Sequence, residues 1–342
     1  MRGGDAAQRH VQCDPRNSRL SARAARGAAT RALAACAGAL LIAAAARAGG
    51  AAAVAAPPAP RLDLDAFEAT KQALALSDGI RLAYVSMGPR EGPAVVLIHG
   101  YTDSARDWVP LVPYLSPALR LILVDLRGHG RSSRPECCYT RPDFAYDVKL
   151  LLDALGIARA DLVGHSLGGF ITQVFAETWP ERTRRVVLIS SGAGVRAGRS
   201  HVAARLDVAA QIGALKEPLD PDSPFMIEWW SSPTPVDPEF VRRQRRDAAA
   251  MPLSIWRAVL DQSLSDAGDL QRTLPRLTAP TLLIWGGADP FVGEDVRATL
   301  REGLPHADVR IFPGLGHNPF WEDPRTCAAA INEFLLGGAP AP

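Results

Sequence analysis

The sequence predicts an α/β fold with an eight-stranded, mostly parallel sheet covered by helices. Eight short runs rich in apolar and β-branched residues recur between residues 73 and 312. Segments with helical periodicity separate the later runs, which is typical of βα units and of a parallel sheet. About ninety residues separate the sixth run from the seventh, too many for a single crossover, so this interval predicts a helical insertion.

The predicted strands follow one another at the spacing that such a sheet needs. The first two flank Ser77-Asp78-Gly79, a hairpin turn signal, so we expect them to pair antiparallel. Residues 143–155 carry apolar side chains at helical spacing and should cover the sheet. The predicted strands are 73–76, 80–86, 94–98, 121–124, 161–163, 186–189, 281–284 and 309–312.

The domain boundaries follow from this alternation. Residues 62–194 and 276–337 are predicted to form the α/β core, and residues 195–275 a helical cap. Within the cap, helices are expected at 201–215, 238–250 and 253–264, and its aromatic residues should fill either a substrate pocket or the interior of the cap itself.

The first 61 residues differ in composition from the rest. Residues 1–48 combine a basic region with an apolar run, the layout of a secretory signal, and residues 49–61 form an Ala/Pro linker. The fifteen residues 32–46 would span about 22 Å as a helix, less than the ~30 Å hydrocarbon core, so no stable membrane span is expected. We therefore expect export to the periplasm or secretion. If the leader is not a signal, the protein would be cytoplasmic.

Charge argues against a nucleic-acid partner. Residues 1–48 contain eight Arg and two Asp, which leaves 30 basic and 34 acidic residues in the remainder of the chain. Since this remainder is slightly acidic, no basic surface for nucleic acid is expected.

The cysteines predict neither a disulfide framework nor a metal centre. Cys137, Cys138 and Cys327 follow the leader, too few for a framework of bridges. The adjacent Cys137 and Cys138 are expected to be two loop thiols, with a bridge between them as the alternative. Because the chain has no C-x-x-C pair and no His/Cys cluster, no metal and no cofactor are predicted.

Residues 164–169, Gly-His-Ser-Leu-Gly-Gly, have the pattern of a nucleophile elbow. A short apolar run precedes them and a helical run, 170–179, follows, the strand–turn–helix context that an elbow requires. Glycine two residues before and after Ser166 permits close backbone approach in a sharp turn. The following helix begins with unpaired N–H groups that stabilise an oxyanion. Taken alone, the pattern also fits an ordinary Gly-rich turn.

Together with three further motifs, this stretch resembles the α/β-hydrolase superfamily, specifically its capped serine esterase-like members. The other motifs are His-Gly-Tyr at 99–101, Asp-Leu-Arg-Gly-His-Gly-Arg-Ser at 125–132 and Gly-Leu-Gly-His-Asn-Pro at 314–319. The resemblance covers residues 62–336. It implies the α/β-hydrolase fold, with the helical cap inserted between strands six and seven.

A serine nucleophile needs an imidazole base and a carboxylate that orients it. Among the seven histidines, His317 lies in a Gly-rich loop after the last strand, at the edge where sites of open α/β sheets lie. The family's order of serine, acid and histidine then implies Asp289, in the loop after strand seven. Glu294 and Asp295 are the alternative carboxylates.

The resemblance also implies the oxyanion hole. Its two donors should be the backbone N–H groups of Leu167, which follows the nucleophile, and Tyr101, which follows His-Gly. The side chain of Tyr101 should either enter the pocket or pack. The remaining polar residues of these loops are expected to fix backbone rather than to react; they are Asp103, Arg106, Trp108, Asp125 and Arg127.

These features predict a serine hydrolase that cleaves a carboxylic ester or lactone through an acyl-enzyme. Epoxide hydrolases and haloalkane dehalogenases of this fold carry aspartate where this chain has Ser166, so these chemistries are excluded. C–C bond hydrolases and perhydrolases remain alternatives, although residues 99–104 lack the Gly-Pro-rich loop that the former usually have. A non-catalytic ligand-binding receptor of the same fold is the further alternative. The expected partner is a small apolar ester, and the oligomeric state is not predicted.

Overall fold

The computed structural model of the protein describes residues 63–193, 201–264 and 268–337. The predicted leader, 1–48, and the predicted linker, 49–61, therefore lie outside the described residues.

One eight-stranded sheet organises the described residues. Its strands are β1 (Gln72–Ala75), β2 (Arg81–Met87), β3 (Ala94–Ile98), β4 (Arg120–Asp125), β5 (Ala160–His165), β6 (Thr183–Ile189), β7 (Thr281–Gly286) and β8 (Asp308–Phe312). They lie side by side in the order β1-β2-β4-β3-β5-β6-β7-β8. β2 pairs antiparallel with both β1 and β4, and all the other neighbours are parallel. The predicted fold class is confirmed.

The first hairpin forms for the reason that its sequence predicts. Gly79 has a φ of +89°, a conformation that favours glycine, and the Leu76 N–H donates to the Ile80 carbonyl at 2.7 Å across the turn. The chain can therefore reverse within three residues and pair β1 with β2 in antiparallel register.

The central strands are buried on both faces. All five residues of β3 are buried, as are all six of β5. Helices on both sides of a parallel sheet exclude water from it, which explains continuous apolar runs instead of alternating ones. Burying each Val, Leu or Ile side chain contributes roughly 1.5–3 kcal/mol, so these strands supply much of the stability.

Helices surround the sheet and fill the insertion. In the core they are α1 (Leu64–Ala69), α2 (Arg141–Ala154), α3 (Leu167–Thr178), α9 (Glu294–Gly303), α10 (Pro319–Glu322) and α11 (Pro324–Leu336). Between β6 and β7 the chain forms α4 (His201–Ala214), α5 (Pro224–Trp229), α6 (Pro238–Ala249), α7 (Leu253–Val259) and α8 (Gly268–Thr273). A π-helical segment, Leu260–Leu264, continues α7. The predicted helix 253–264 therefore consists of two segments, the first with α-helical and the second with π-helical hydrogen bonds.

The strand order fixes where a site can form. From β3 the chain moves to β4 on one side, whereas β5 lies on the other side, so the carboxyl ends of β3 and β5 flank a topological switch point. Open α/β sheets bind ligands in the crevice at such a point. Among the described residues, every helix is too short or too polar to cross a bilayer.

Candidate active site

Ser166 lies in the sharp turn between β5 and α3. Its φ of 50° and ψ of −113° are unusual for a residue with a side chain, and its N–H donates to the Ile189 carbonyl on β6 at 2.9 Å. Backbone strain of this kind persists only where the surrounding structure fixes it, and it is concentrated at functional sites. The described non-glycine residues with positive φ are Thr102, Ser166 and Ser190, which follow β3, β5 and β6.

The two glycines that flank Ser166 are required by close backbone contacts. A Cβ on Gly164 would lie 2.3 Å from the Gly168 carbonyl oxygen, and one on Gly168 would lie 2.0 Å from the Ile98 carbonyl oxygen. No side chain fits at these distances. The close approach brings the start of α3 against the end of β3, so the loop after β3 lies beside the serine.

The expected oxyanion donors belong to these two elements. Leu167 is the first residue of α3, where the N–H groups have no partner within the helix. Tyr101 lies in the loop after β3, and its hydroxyl donates to the Trp256 carbonyl on α7 at 2.6 Å. The Trp229 indole N–H donates to Thr102 Oγ1 at 3.1 Å. Both hydrogen bonds join the insertion to this loop.

His317 and Asp289 form a hydrogen-bonded pair. His317 Nδ1 lies 3.0 Å from Asp289 Oδ1 and 2.9 Å from Oδ2, and the Asp289 side chain is fully buried. Asp289 Oδ1 also accepts the N–H groups of Phe291 and Val292 at 2.8 and 3.1 Å, which fixes the carboxylate. Because the protonated Nδ1 donates its hydrogen bond to Asp289, Nε2 is left as the proton acceptor.

The pair changes the acidity of both groups in opposite directions. Burial alone lowers the pKa of His317, but the charge and hydrogen bond of Asp289 outweigh it and raise that pKa above 6.5. Burial alone raises the pKa of Asp289. The charge and hydrogen bond of His317, with the N–H donors of Phe291 and Val292, outweigh the effect of burial, and the pKa of Asp289 is lowered. Asp289 is therefore ionised at neutral pH. The alternative carboxylates, Glu294 and Asp295, lie in the first turn of α9 instead.

A cavity of about 600 Å³ brings these parts together. Ser166, Tyr101 and His317 line it, and Leu167, at the start of α3, is fully buried. Aromatic rings cover much of its wall, and Phe291 packs edge-on against the His317 ring with centroids 4.9 Å apart. The lining aromatic residues include Phe170, Phe225, Trp229, Trp230 and Trp321. Trp256 is fully buried and supports Trp229 and Trp230 from within the insertion.

Asp125 and Arg127, two of the residues expected to fix loops, make buried polar contacts with the loops that follow β3 and β4. The buried Asp125 carboxylate accepts the N–H groups of Ala105 and Arg131 at 2.7 and 2.8 Å and pairs with Lys71 at 2.9 Å. Arg127 pairs with the buried Asp147 at 2.5 Å. Both interactions fix the loops that follow β3 and β4.

Arg106 connects three parts of the chain. It is nearly fully buried and pairs with Glu68 on α1 at 2.7 Å and with Asp247 on α6. The loop after β3 is thereby joined to the amino-terminal helix and to the insertion. Asp247 carried no signal in the sequence, since it lies in a polar helix with four arginines.

A second group of titratable residues near His317 was not predicted. Asp103, Asp107 and His165 place their ligand atoms within 4.8 Å of one another. The sequence analysis expected Asp103 to fix a loop and gave no role to Asp107 or His165. His165 Nε2 lies 3.1 Å from the His317 carbonyl oxygen.

This sheet order, with a strained serine turn after β5 and a His–Asp pair after β8 and β7, defines a hydrolase-type α/β fold. The sequence model of the alpha/beta hydrolase fold matches residues 93–324, and the chain belongs to this family.

Individual relatives have different activities. The chain is 31% identical over 252 residues to a 2-hydroxy-6-oxononadienedioate/2-hydroxy-6-oxononatrienedioate hydrolase of Paraburkholderia phymatum, covering 71% of this chain and 85% of that protein. A solved hydrolase of Pseudomonas aeruginosa has a TM-score of 0.66 at 28% identity, covering 78% and 98% of the two chains. A solved membrane phospholipase A, described as a bacterial virulence factor, has a TM-score of 0.66 at 26% identity, covering 78% and 86%.

Proposed function

We propose that the protein is a serine hydrolase that cleaves a carboxylic ester or lactone through an acyl-enzyme. The observation that carries the proposal is the His317–Asp289 pair, which opens onto the same cavity as Ser166. A serine hydroxyl, an oriented imidazole and a buried carboxylate are the three groups that this chemistry requires.

In the first half of the reaction, Ser166 Oγ attacks the ester carbonyl while His317 Nε2 takes the hydroxyl proton. Negative charge develops on the carbonyl oxygen, and the N–H groups of Leu167 and Tyr101 stabilise it. The alcohol then leaves with the proton held by His317. Asp289 stays ionised and stabilises the imidazolium that forms.

In the second half, His317 removes a proton from a water molecule as the water attacks the carbonyl carbon of the acyl-enzyme. The N–H groups of Leu167 and Tyr101 again stabilise the oxyanion that forms. The acid departs and Ser166 regains its proton from His317. The aromatic wall of the cavity supports an apolar acyl or alcohol group as the part of the substrate that is recognised.

The competing proposal is C–C bond hydrolysis, which the Paraburkholderia relative's name favours. Its substrates are dioates, which carry two carboxylates. The described residues that line the cavity include Glu228 and contain no Lys or Arg that could pair with the two carboxylates of a dianion. Ester hydrolysis is therefore the better-supported assignment.

The experiment that tests the proposal is a chain-length series of aryl esters, with a lactone and a 2-hydroxy-6-oxo-dienedioate in parallel. We expect ester turnover at higher kcat/KM than dienedioate cleavage, and its loss in Ser166→Ala. A fluorophosphonate should label Ser166 once, as mapped by peptide mass. Label on another residue, or full activity in Ser166→Ala, would refute the mechanism. A folded protein that binds esters without turnover would favour the receptor alternative.

A further inference from the structure

The strongest feature outside the proposed reaction is the buried group of Asp103, Asp107 and His165. Asp107 is fully buried and His165 is 2% exposed. Gly100 makes room for the group, because a Cβ there would lie 2.8 Å from His165 Nδ1 and 3.0 Å from Asp103 Oδ2. Asp103 and His165 also line the cavity, so the group has access to it.

Four acceptor atoms in this group have no hydrogen-bond partner among the described residues: Asp103 Oδ1, both Asp107 carboxylate oxygens and His165 Nδ1. The indoles of Trp230 and Trp321 lie beside the two carboxyl groups and lower their pKa values, but burial dominates and raises both. The Trp321 N–H itself donates to the Asp107 backbone carbonyl at 2.9 Å.

One hydrogen bond orients the His165 ring. Its Nε2–H donates to the His317 carbonyl oxygen at 3.1 Å, which leaves a lone pair on Nδ1. That lone pair faces Asp107 Oδ2 at 3.5 Å. The acceptor atoms of three side chains thus converge, and the donors beside the two carboxyl groups include the Gly100 N–H and the indoles of Trp230 and Trp321.

Such an arrangement is stabilised either by protons on the carboxyl groups or by a bound cation, because a buried, unpaired carboxylate costs several kcal/mol. The spacing of one pair of these atoms fits a metal ion, and an Asp103 carboxylate oxygen lies within 4.8 Å of both. Two ligands bound to zinc at 2.0–2.1 Å with tetrahedral angles lie about 3.4 Å apart, close to the observed distance between His165 Nδ1 and Asp107 Oδ2.

We propose that Asp103, Asp107 and His165 bind one divalent cation of the zinc class. Two carboxylates and one imidazole are ligands that suit such borderline cations. Three protein ligands leave a fourth position, which the cavity can supply with water or with an oxygen of a bound molecule. The hydrogen bond from His165 Nε2 to the His317 carbonyl orients the ring, as outer-shell partners of metal-bound histidines do.

Metal binding itself is the test, measured on the full chain after removal of any purification tag and dialysis against EDTA. Titration with ZnCl₂ by calorimetry should give one ion per chain. At a hundredfold excess over Kd, the melting temperature should rise by about 5 °C. Asp107→Asn and Asp103→Asn should each abolish both signals. Asp308→Asn, which removes an exposed carboxylate at the start of β8, should keep them.

Three results would overturn the assignment. One is the absence of zinc binding to the wild-type chain, and another is binding that persists unchanged in both Asp variants. The third is an Asp107→Asn variant that melts above the wild type by the same amount with and without zinc. That result would mean that the carboxyl groups hold protons instead of a metal ion. Asp103→Asn preserves the test if Asp107→Asn does not fold. Since the readout is binding, its failure leaves ester hydrolysis to be judged separately by Ser166→Ala.

Discussion

The Tyr101 hydroxyl donates a 2.6 Å hydrogen bond to the Trp256 carbonyl, which joins the loop after β3 to the helical insertion. The backbone N–H of the same tyrosine is a proposed oxyanion donor. The position of that donor therefore depends on a contact with a different part of the chain.

Tyr101→Phe should lower kcat with little change in KM, because the donor matters most when charge develops on the oxyanion. A net hydrogen bond is worth about 0.5–1.5 kcal/mol, so we expect a decrease of roughly three- to tenfold. Steady-state kinetics on an aryl ester provide the measurement. Tyr139→Phe is the matched control, since its hydroxyl also donates to a carbonyl, that of Pro135, at 2.6 Å. Equal effects of the two changes on kcat would contradict the positioning role.

Asp289→Asn should reduce kcat by roughly 10³–10⁴-fold while the fold is retained, since an amide favours the wrong His317 tautomer and cannot offset its charge. Circular dichroism would verify the fold, and ester kinetics the loss. Glu294→Gln is the control, because Glu294 pairs with Arg301 on the surface of α9. Should Glu294→Gln prove the more damaging change, the acid has been assigned to the wrong residue.

Ester hydrolysis should be lost as the pH falls. The reaction needs neutral His317. Because Asp289 raises the pKa of His317 above 6.5, His317 becomes protonated, and activity is lost, as the pH falls through that raised pKa. The profile of kcat/KM between pH 5 and 9, measured on EDTA-treated protein, should inflect above 6.5. In Asp289→Asn the inflection of any residual activity should move to lower pH, because the counter-charge is gone. An inflection below 6.5 in the wild type would contradict this assignment.

Gly168→Ala should destabilise the fold and abolish activity, since the added methyl would lie 2.0 Å from the Ile98 carbonyl oxygen and neither backbone can move freely. We expect a loss of a few kcal/mol in the free energy of unfolding, as for other backbone conflicts. Gly213→Ala is the control: nothing lies within 4 Å of a Cβ at this position in α4. That change should raise stability by about 0.5–1 kcal/mol. Urea unfolding followed by fluorescence would compare them.

Lys71→Met should lower the free energy of unfolding by roughly 3 kcal/mol, because it leaves a fully buried Asp125 carboxylate without its ion-pair partner. Lys149→Met removes a pair between two partly exposed side chains, Lys149 and Asp153, and should cost less than about 1 kcal/mol. Urea midpoints of the two variants give the comparison. If both cost the same, the Lys71–Asp125 pair is not a principal stabilising contact.

Much of the sheet could be predicted because buried parallel strands have continuous apolar runs. The prediction 94–98 matches β3, whereas 161–163 fell short of β5, which extends to His165. His165 belongs to β5 because it pairs with Ile189 of β6, a contact between distant parts of the chain that the local sequence does not encode. Likewise α3 begins at Leu167 instead of 170, because two glycines with low helix propensity conceal its first turn.

The candidate site, like the sheet, could be predicted from the sequence only in part. The His317–Asp289 pair was expected, because motif order along the chain places both residues in loops at one edge of the sheet. The Asp103–Asp107–His165 group was not, since about sixty residues separate its members and only the close approach at Gly100 brings them together. Nor could the contact from Arg106 to Asp247 be predicted, because the orientation of the insertion depends on tertiary packing.

The buried Lys71–Asp125 contact also sets a limit on how the chain can be shortened. A polypeptide starting at Gln72 would retain all eight strands, yet it would strip Asp125 of its counter-ion and remove Glu68 from Arg106. Proteolytic maturation or truncation that preserves the enzyme should consequently stop upstream of Asp63, whose side chain caps α1.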